Sequence, residues 1–374
     1  MMRRVWIDTD MGFDDVVAIA MVAGAPDVAI AGLSLVAGNA PLDHVAQNAR
    51  DAASFFGWDM PIHAGRDRPL LGDLVTAAYA LGDGAMPTVA RTLPKVDTPL
   101  SEEPALPALI RYLEEGGEDI LALGPLTNIA ALVIARPDLA AQIRLVWMGG
   151  SAGPGNHTAV AEFNAAVDPE AIQAVIDAGV HIAMVGLDAC RPVTVSVADA
   201  DALRALGVDR AAVLADLLEG YASIGQTGVP HPLYDPVAAA AWIEPATVGF
   251  RPARLDAELS GRLTRGMTVI EWRVPRKAAA NADIATVPEA DRIRALALGA
   301  LERAARPVSA QTSGKAEAAP SPEIAGAIST SPQGEVKGPH APNPSPRGEG
   351  GARRRRRREG EGDSSRAKPS KVQP

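Results

Sequence analysis

Near its start the 374-residue chain has the sequence Val5-Trp6-Ile7-Asp8-Thr9-Asp10-Met11-Gly12-Phe13-Asp14-Asp15, and this stretch predicts the fold. The short apolar run Val5 to Ile7 is typical of a buried strand, and the apolar stretch Val16 to Ala23 is typical of the helix that follows it. The aspartates between them therefore lie on a strand-to-helix turn at the carboxyl edge of a sheet. Ligands of α/β proteins bind at that edge.

The four aspartates of this turn predict a metal site. Like charges held so close together raise one another's pKa values unless a cation lies among them. A cap for the helix that begins near Phe13 would explain one or two of them, but not four. Hard oxygen ligands in this number suit Ca²⁺ or Mg²⁺ and do not suit Zn²⁺. A fifth aspartate, Asp235 in Leu233-Tyr234-Asp235-Pro236, is expected to join them.

Beyond this turn, short apolar runs alternate with helical patterns as far as Glu244. This alternation predicts an α/β fold, a mostly parallel, twisted, Rossmann-like sheet with helices on both faces. Arg254–Glu258 and Met267–Val274 predict antiparallel edge strands, and Ala290–Arg306 predicts a closing helix. The other predicted strands are Val5–Asp8, Val28–Val36, Asp119–Leu123, Arg144–Met148 and His181–Leu187, and the other predicted helices are Asp14–Ala23, Leu42–Phe56, Leu106–Glu115, Asn128–Ala135, Pro169–Ala178, Ala211–Ile224 and Pro236–Trp242.

Composition divides the chain into a body and a tail. Residues 1–306 have a globular composition and predict one catalytic domain, whereas residues 307–374 are rich in Pro, Gly, Ser and charge, which predicts a disordered tail. The chain has 36 Lys+Arg and 45 Asp+Glu, of which the tail holds 12 and 7, so the body holds 24 and 38 and has a net charge of −14. Such an acidic body is a poor partner for nucleic acid. For the basic tail, with its run Arg353 to Arg358, a solvated segment without function is favoured over one that binds RNA, membrane or the acidic body itself.

The cellular setting follows from cysteine usage and from apolar runs. The single Cys190 excludes a disulfide framework and fits a reducing cytoplasm, where we expect the protein to be located. No signal peptide precedes Val5, and no apolar run has the length of a membrane span, so no membrane partner is expected. As a lone thiol after an apolar run, Cys190 is more typical of a packed core than of a nucleophile.

Polar residues follow several predicted strands. These residues are Asn39 after Gly38, the Thr127-Asn128 pair after Gly124-Pro125-Leu126, Asn156 in a Gly-rich loop, and Glu162-Phe163-Asn164. Each alone is typical of a turn or a helix cap. Together they surround one crevice on the side of the sheet that holds the aspartates, and amides with carboxylates in this arrangement favour a polyol ligand.

At this point the residues resemble a known family, the inosine–uridine-type nucleoside hydrolases. The octad Asp8 to Asp15 is similar to the family's DTDPGxDD motif, with Met11 where Pro is usual. Further matches follow in the family's order, and the resemblance covers about residues 3–305: Val36-Ala37-Gly38-Asn39, Leu123-Gly124-Pro125-Leu126-Thr127-Asn128-Ile129-Ala130, Met148-Gly149-Gly150, Asn156, Glu162-Phe163-Asn164, Asp168-Pro169-Glu170-Ala171 and Asp235-Pro236.

The resemblance implies hydrolysis of the N-glycosidic bond of ribonucleosides to free base and ribose by a calcium-bound water. It also implies assembly as a homodimer or homotetramer. It implies that Ca²⁺ is bound by the carboxylates of Asp10, Asp15 and Asp235 and by the backbone carbonyl of Thr127, that Asp10 is also the general base, and that Asp8 orients the metal carboxylates. It implies that the ribose 2′- and 3′-hydroxyls are bound by Asp14, Asn39, Asn164 and Asp235. The 5′-hydroxyl would be bound by Asn156 and Glu162, and Met148 would line the sugar pocket.

The sequence departs from the family's pattern where the leaving base is expected. Many members have His directly before the last Asp, where this chain has Tyr234, and another His in a loop where Ala80 is nearest. Tyr234 is therefore expected to donate a proton to the base or to stack on it, with His231 and Tyr221 as weaker candidates. His44, His63, His157 and His181 carry no site signal. Preference for purine or pyrimidine stays open.

Two other classes of protein remain as alternatives. Haloacid-dehalogenase-type phosphohydrolases also end their first strand in Asp-x-Asp and bind Mg²⁺, although Gly12 and the pair Asp14-Asp15 do not fit their usual context. A nucleoside- or ribose-binding protein without catalysis is the third hypothesis, because the two histidines are absent.

Overall fold

The computed structural model of the protein describes residues 2–225 and 228–306, and a nine-stranded sheet forms its centre. The strands of the described residues are β1 (Arg3–Thr9), β2 (Val28–Leu35), β3 (Ile62–Ala64), β4 (Asp119–Ala122), β5 (Arg144–Met148), β6 (His181–Val185), β7 (Thr194–Val195), β8 (His231–Pro232), β9 (Val248–Ala257), β10 (Thr268–Glu271) and β11 (Ala282–Pro288). The sheet has the order β10-β9-β11-β6-β5-β4-β1-β2-β3, and β7 with β8 forms a separate antiparallel pair.

Helices cover both faces of the sheet. They are α1 (Phe13–Ala23), α2 (Leu42–Phe56), α3 (Ala78–Leu81), α4 (Ala105–Glu114), α5 (Thr127–Ala135), α6 (Phe163–Val167), α7 (Pro169–Asp177), α8 (Leu187–Cys190), α9 (Val197–Arg204), α10 (Asp209–Ala222), α11 (Asp235–Ile243) and α12 (Ala290–Ala305), with short 3₁₀ helices at Pro137–Gln142 and Pro245–Thr247.

Alternation along the central strand separates two apolar cores. Val5 and Ile7 of β1 point into a core formed with α1, α2 and α10 to α12, whereas Trp6 between them points into a core formed with α4, α5 and α7. Successive side chains of a strand face opposite sides of the sheet, so both faces of β1 are buried. This explains why Val5 to Ile7 are all apolar rather than alternately polar.

The order of the strands places β1 at the position where ligands of α/β proteins bind. From β1 the chain adds β2 and β3 on one side and β4, β5 and β6 on the other, all in parallel. The crevice at such a reversal of strand order lies beyond the carboxyl ends of the strands. Backbone pairing extends past the strand ends, since Leu123 N donates to the Asp8 carbonyl at 2.8 Å and Val36 N donates to the Thr9 carbonyl at 3.0 Å.

The predicted fold class is confirmed. The predicted edge strands correspond to β9 and β10, which pair antiparallel at one edge. Strand β11 was not predicted; it pairs parallel with β6 and antiparallel with β9, and it joins the two parts of the sheet. Strand β3 was also missed, because three residues are too few to show a period. Among the described residues no helix is long and apolar enough to cross a membrane.

Candidate active site

The aspartate turn is buried and held by its own hydrogen bonds. Asp15 lies in the first turn of α1, where its carboxylate accepts from the Thr9 hydroxyl at 2.5 Å and from Gly12 N at 2.8 Å. It therefore caps the helix from inside the turn, yet its side chain has no solvent exposure. Burial is the largest cause that raises the Asp15 pKa.

Met11 has an unusual backbone conformation in this turn. Its φ is 50°, in the left-handed region, which costs a non-glycine residue on the order of 1 kcal/mol. The conformation is held by Thr9, whose hydroxyl accepts from Met11 N at 3.1 Å, and by Asn48, whose amide donates to the Met11 carbonyl at 3.1 Å. Proline has φ near −65°, so a proline at position 11 could not adopt this backbone conformation.

Asp10 lies deeper and is bound by Asn39. Its Oδ2 accepts from Asn39 N at 2.7 Å and its Oδ1 accepts from Asn39 Nδ2 at 3.0 Å. A Cβ at Gly38 would lie 2.2 Å from Asp10 Oδ2, so only glycine allows this close approach. Burial first, and then the charge of Asp15, raises the pKa of Asp10 well above its usual range.

Asp235 comes to this turn from α11, which packs against α1. The buried alanine run 238–241 of α11 lets the two helices approach closely. One carboxylate oxygen each of Asp14, Asp15 and Asp235 lie within 4.8 Å of one another. Burial and the neighbouring charge of Asp15 raise the pKa of Asp14 to about 7 and that of Asp235 well above its usual range.

This cluster fits a divalent cation. It consists of buried carboxylate oxygens, the donors that Ca²⁺ and Mg²⁺ prefer, and burial is the largest cause of the raised pKa of each carboxylate. The three closest carboxylates include Asp14, whereas the predicted ligand set has Asp10 in its place. The ligand roles of Asp10, Asp15, Asp235 and the Thr127 carbonyl stay predictions. The Thr127 hydroxyl itself donates to Asp168 Oδ2 at 2.7 Å.

Asp8 lies behind the cluster rather than in it. Its Oδ1 accepts from the Ser34 hydroxyl and from Asn128 Nδ2, the latter at 2.7 Å, while its Oδ2 is buried without a hydrogen-bond partner. Burial raises the Asp8 pKa to about 7. Asn128 Oδ1 also accepts a hydrogen bond from Arg66 N at 2.9 Å. The Asn128 amide therefore supports Asp8 and does not line the pocket.

A solvent-open pocket with a cavity volume of about 220 Å³ lies over the carboxylates. Its lining contains ten of the predicted site residues: Asp14, Asn39, Met148, Asn156, Glu162, Asn164, Tyr221, His231, Tyr234 and Asp235. Asp10, Asp15 and Thr127 are buried and are not among the lining residues.

The amide of Asn164 ties together two strand ends on one wall of the pocket. Its Nδ2 donates to the carbonyls of Leu123 and Met148, both at 3.0 Å, after β4 and at the end of β5. The amide oxygen is thereby left for a ligand. Glu162 caps α6, because its carboxylate accepts from the backbone N–H groups of Gly150, Asn164 and Ala165 at 2.8 to 3.0 Å. Burial nevertheless raises the Glu162 pKa to about 7.

Aromatic side chains also line the pocket. The Tyr221 hydroxyl lies 3.0 Å from both Asp14 Oδ2 and the Pro232 carbonyl oxygen, so its one proton is used within the protein. The His231 ring packs edge-on against Tyr221 and Tyr234, with centroids 5.0 and 6.0 Å away. Burial lowers the pKa of His231 below its ordinary value and raises the pKa of Tyr234 above its ordinary value. Both groups are therefore neutral near pH 7.

The pocket also includes residues that the sequence did not single out. Tyr79 of α3 and Phe163 of α6 line it, together with Ala77, Ala80, Leu81, Leu123 and Ile224. Tyr79 stands directly before Ala80, the position nearest the family's absent loop histidine. An aromatic residue next to the position of the missing histidine is the feature of the sequence that could have indicated Tyr79 as a pocket residue. His157, which carried no site signal, contacts Tyr79 at the mouth of the pocket.

Known proteins resemble this chain over most of its length. A model of the family described as inosine-uridine preferring nucleoside hydrolase matches residues 5–295. The chain is 33% identical over 318 residues to an inosine-uridine preferring nucleoside hydrolase of Leishmania major, which covers 82% of this chain and 100% of that protein. It is 36% identical over 295 residues to the non-specific ribonucleoside hydrolase RihC of Salmonella agona, which covers 77% of this chain and 94% of that protein.

A solved structure shows the same fold. The purine-preferring ribonucleoside hydrolase from Gardnerella vaginalis superposes with a TM-score of 0.74 at 24% identity, covering 81% of this chain and 99% of that chain. The doubly wound sheet, with buried carboxylates below a polar and aromatic pocket at the carboxyl ends of its strands, is an α/β architecture that binds ligands at this edge. The chain belongs to the inosine-uridine preferring nucleoside hydrolase family. The resemblance is thereby confirmed, and it outweighs the phosphohydrolase hypothesis.

Proposed function

We propose that the protein hydrolyses the N-glycosidic bond of ribonucleosides to free base and ribose, with Ca²⁺ at the carboxylate cluster. The observation that carries this proposal is the convergence of buried carboxylates from two distant segments, Asp10 to Asp15 and Asp235, beneath a pocket of amides and aromatic rings. The names of the relatives in Leishmania major and Salmonella agona agree with it.

The cation site would use carboxylates of both segments. We assign Asp10, Asp15, Asp235 and the Thr127 carbonyl as ligands, and the proximity of Asp14 to Asp15 and Asp235 supports a fourth carboxylate at or beside the ion. When bound, Ca²⁺ supplies positive charge that offsets the carboxylates and lowers the pKa of a water it holds. Asp8 would orient the metal carboxylates, and its bonds to Ser34 and Asn128 fix its own position.

Asp10 is the general base in this proposal. It would take the proton of the attacking water, a contribution typically of about 10²- to 10⁴-fold in rate. Asn39 holds both of its carboxylate oxygens, so the base is oriented before substrate binds. The bond to the base breaks with development of positive charge on the ribosyl ring, which the surrounding carboxylates stabilise.

The ribose would lie against the polar wall. We assign Asp14, Asn39, Asn164 and Asp235 to the 2′- and 3′-hydroxyls, and Asn156 with Glu162 to the 5′-hydroxyl, while Met148 lines the sugar pocket. The free amide oxygen of Asn164 supports its role, because its Nδ2 is already occupied. The leaving base would lie against Tyr234 and His231, with Tyr221 behind them holding Asp14.

A nucleoside panel tests this function. We expect release of ribose from at least one of inosine, uridine, cytidine and adenosine, measured as reducing sugar and scored by kcat/KM. The 2′-deoxy form of the best substrate should react about 10⁴-fold more slowly, because buried polar groups would be left unpaired. Binding without ribose release would leave only a binding protein. Hydrolysis of nitrophenyl phosphate with Mg²⁺ in its place would favour the phosphohydrolase hypothesis.

We further propose that residues 1–306 form the catalytic unit. Residues 307–374, predicted to be a disordered tail, lie outside the described residues, so this division stays a prediction. Removing residues 307–374 should change kcat/KM and Tm by less than the error of measurement, because the last helix, α12, ends at Ala305 and its buried residues lie before the cut. A large loss of either quantity would contradict the proposed boundary. Cytoplasmic location and assembly as a dimer or tetramer also stay predictions.

A further inference from the structure

A loop rich in glycine carries Asn156 to the pocket. Residues 149–161, between β5 and α6, form neither a helix nor a strand and include four glycines. Asn156 lines the pocket but is an exposed residue, so burial does not fix its position. Its Oδ1 accepts from Phe163 N at 2.9 Å, which leaves its Nδ2 group to the pocket. The place of this donor therefore depends on how the loop backbone is held.

The carboxylate of Asp188, in α8, holds the first part of this loop. Its Oδ2 accepts from Ala152 N at 2.6 Å and lies 3.1 Å from the Ser151 hydroxyl. A Cβ at Gly153 would lie 2.8 Å from Asp188 Oδ1, so the backbone passes close to this side chain. Ser151 is also held by the Thr268 hydroxyl, which accepts from its N at 2.9 Å and donates to its carbonyl at 2.8 Å. The loop is thereby fixed soon after the end of β5.

The guanidinium of Arg191, directly after α8, holds the part of the loop that precedes Asn156. Its Nη2 donates to the Pro154 carbonyl at 2.6 Å and lies 3.3 Å from the Gly155 carbonyl oxygen. Its Nη1 lies 3.7 Å from Asp188 Oδ1, so the two side chains that hold the loop also pair with each other. Hydrogen bonds from a charged donor are stronger than those between neutral groups. The last two backbone carbonyls before Asn156 therefore have a strong common anchor.

We propose that Asp188 and Arg191 are positioning residues for the 5′-hydroxyl of the substrate and that they act through Asn156. The inference rests on the proposed function, which assigns Asn156 to that hydroxyl. Neither Asp188 nor Arg191 is among the residues that line the pocket. A hydrogen bond weakens steeply when its distance or angle departs from the optimum, so the Nδ2 donor needs a fixed backbone. Because the loop is ordered before substrate binds, binding does not have to supply the free energy of ordering it.

The test compares a nucleoside with its 5′-deoxy form, such as inosine with 5′-deoxyinosine, in one variant. In the unmodified protein, loss of the 5′-hydroxyl should lower kcat/KM about 10- to 100-fold. Arg191→Met keeps the aliphatic stem and removes the donors, so kcat/KM for the nucleoside should fall about 5- to 10-fold. For the 5′-deoxy form it should fall less than about twofold, because that substrate has no hydroxyl for Asn156 to bind. Asp188→Ala should have the same selective effect.

Two control variants separate positioning from folding. Arg191→Lys keeps the charge and can still donate to one carbonyl, so it should retain most of the preference for the 5′-hydroxyl. Arg292→Met removes an exposed ion pair with Glu244 on another part of the surface, and it should leave kcat/KM for both substrates unchanged. Tm of each variant shows whether the protein is folded.

A double variant tests whether the effect passes through Asn156. Asn156→Ala should itself reduce the preference for the 5′-hydroxyl, and adding Arg191→Met should change the remaining preference less than about twofold, since both changes affect one interaction. Equal losses on both substrates in Arg191→Met, or an unchanged preference, would overturn the inference. Absence of ribose release by the unmodified protein from every nucleoside would instead refute the proposed function.

Discussion

Asp10→Asn should lower kcat by about 10³-fold or more while the protein stays folded. The substitution removes the proposed general base, and general bases typically contribute about 10²- to 10⁴-fold; it also removes one negative charge from the proposed cation site. The side chain is completely buried, and its pKa is already raised by burial and by Asp15. Loss of that unfavourable charge offsets the loss of one of the two bonds from Asn39, so Tm should change little.

The measurement is kcat on the best nucleoside of the panel, with circular dichroism and Tm as the test of folding. Asp59→Asn is a matched control, because it makes the same chemical change at an exposed carboxylate that lines a different pocket. The control should keep the kcat of the unmodified protein. A normal rate for Asp10→Asn would remove this residue from the role of base.

Removal of divalent cations should abolish turnover and reverse the effect of pH on stability. Without a cation the clustered carboxylates have raised pKa values, about 7 for Asp8 and Asp14, and Glu162 has a similar value. The folded state then binds more protons than the unfolded state, whose carboxyl pKa values are near 4. Stability of the chelated protein should therefore fall as pH rises from about 4 to about 7.

Calcium should act in the opposite direction. A cation binds the ionised carboxylates of the folded state, so its addition should restore activity and raise Tm, by an amount equivalent to about 2.7 kcal/mol at a hundredfold excess over Kd. The rise in Tm should be larger at pH 8 than at pH 5, where protons compete. Asp235→Asn should greatly reduce this rise. Unchanged activity after chelation, or a Tm that does not respond to calcium at pH 8, would contradict the metal site.

Much of the fold could be predicted because its information is local. Apolar runs of strand length followed by helical periods locate β1, β2, β4, β5 and β6 near their true limits. The aspartate turn is local as well, since its four carboxylates lie within eight residues. Short elements were lost: β3 has three residues and α3 has four, too few for a period of 2 or 3.6 to be recognised.

The sequence predicted which residues belong to the candidate site, but it did not predict how they contact one another. The chain contains the amides and carboxylates in the family's order, yet only the structure shows that Asp14 lies with Asp15 and Asp235, while Asn39 occupies both oxygens of Asp10. It also shows which atoms are already used, as for Asn164 Nδ2. Hydrogen-bond partners of this kind depend on side-chain directions, which sequence spacing does not contain.

By itself, then, the sequence determined the fold class, the family and the acidic turn, because each depends on residues near one another in the chain or on their order. It also placed Asp235 with the acidic turn, and the packing of α11 on α1 brings Asp235 to Asp14 and Asp15. Only the tertiary structure decided that Asp14 and Asp15 are the carboxylates nearest to Asp235 and that Tyr79 meets His157 across 78 residues. The physical reason is that such contacts arise from the docking of whole helices and loops. That docking is governed by the shape and burial of distant surfaces, which leave no period in the chain.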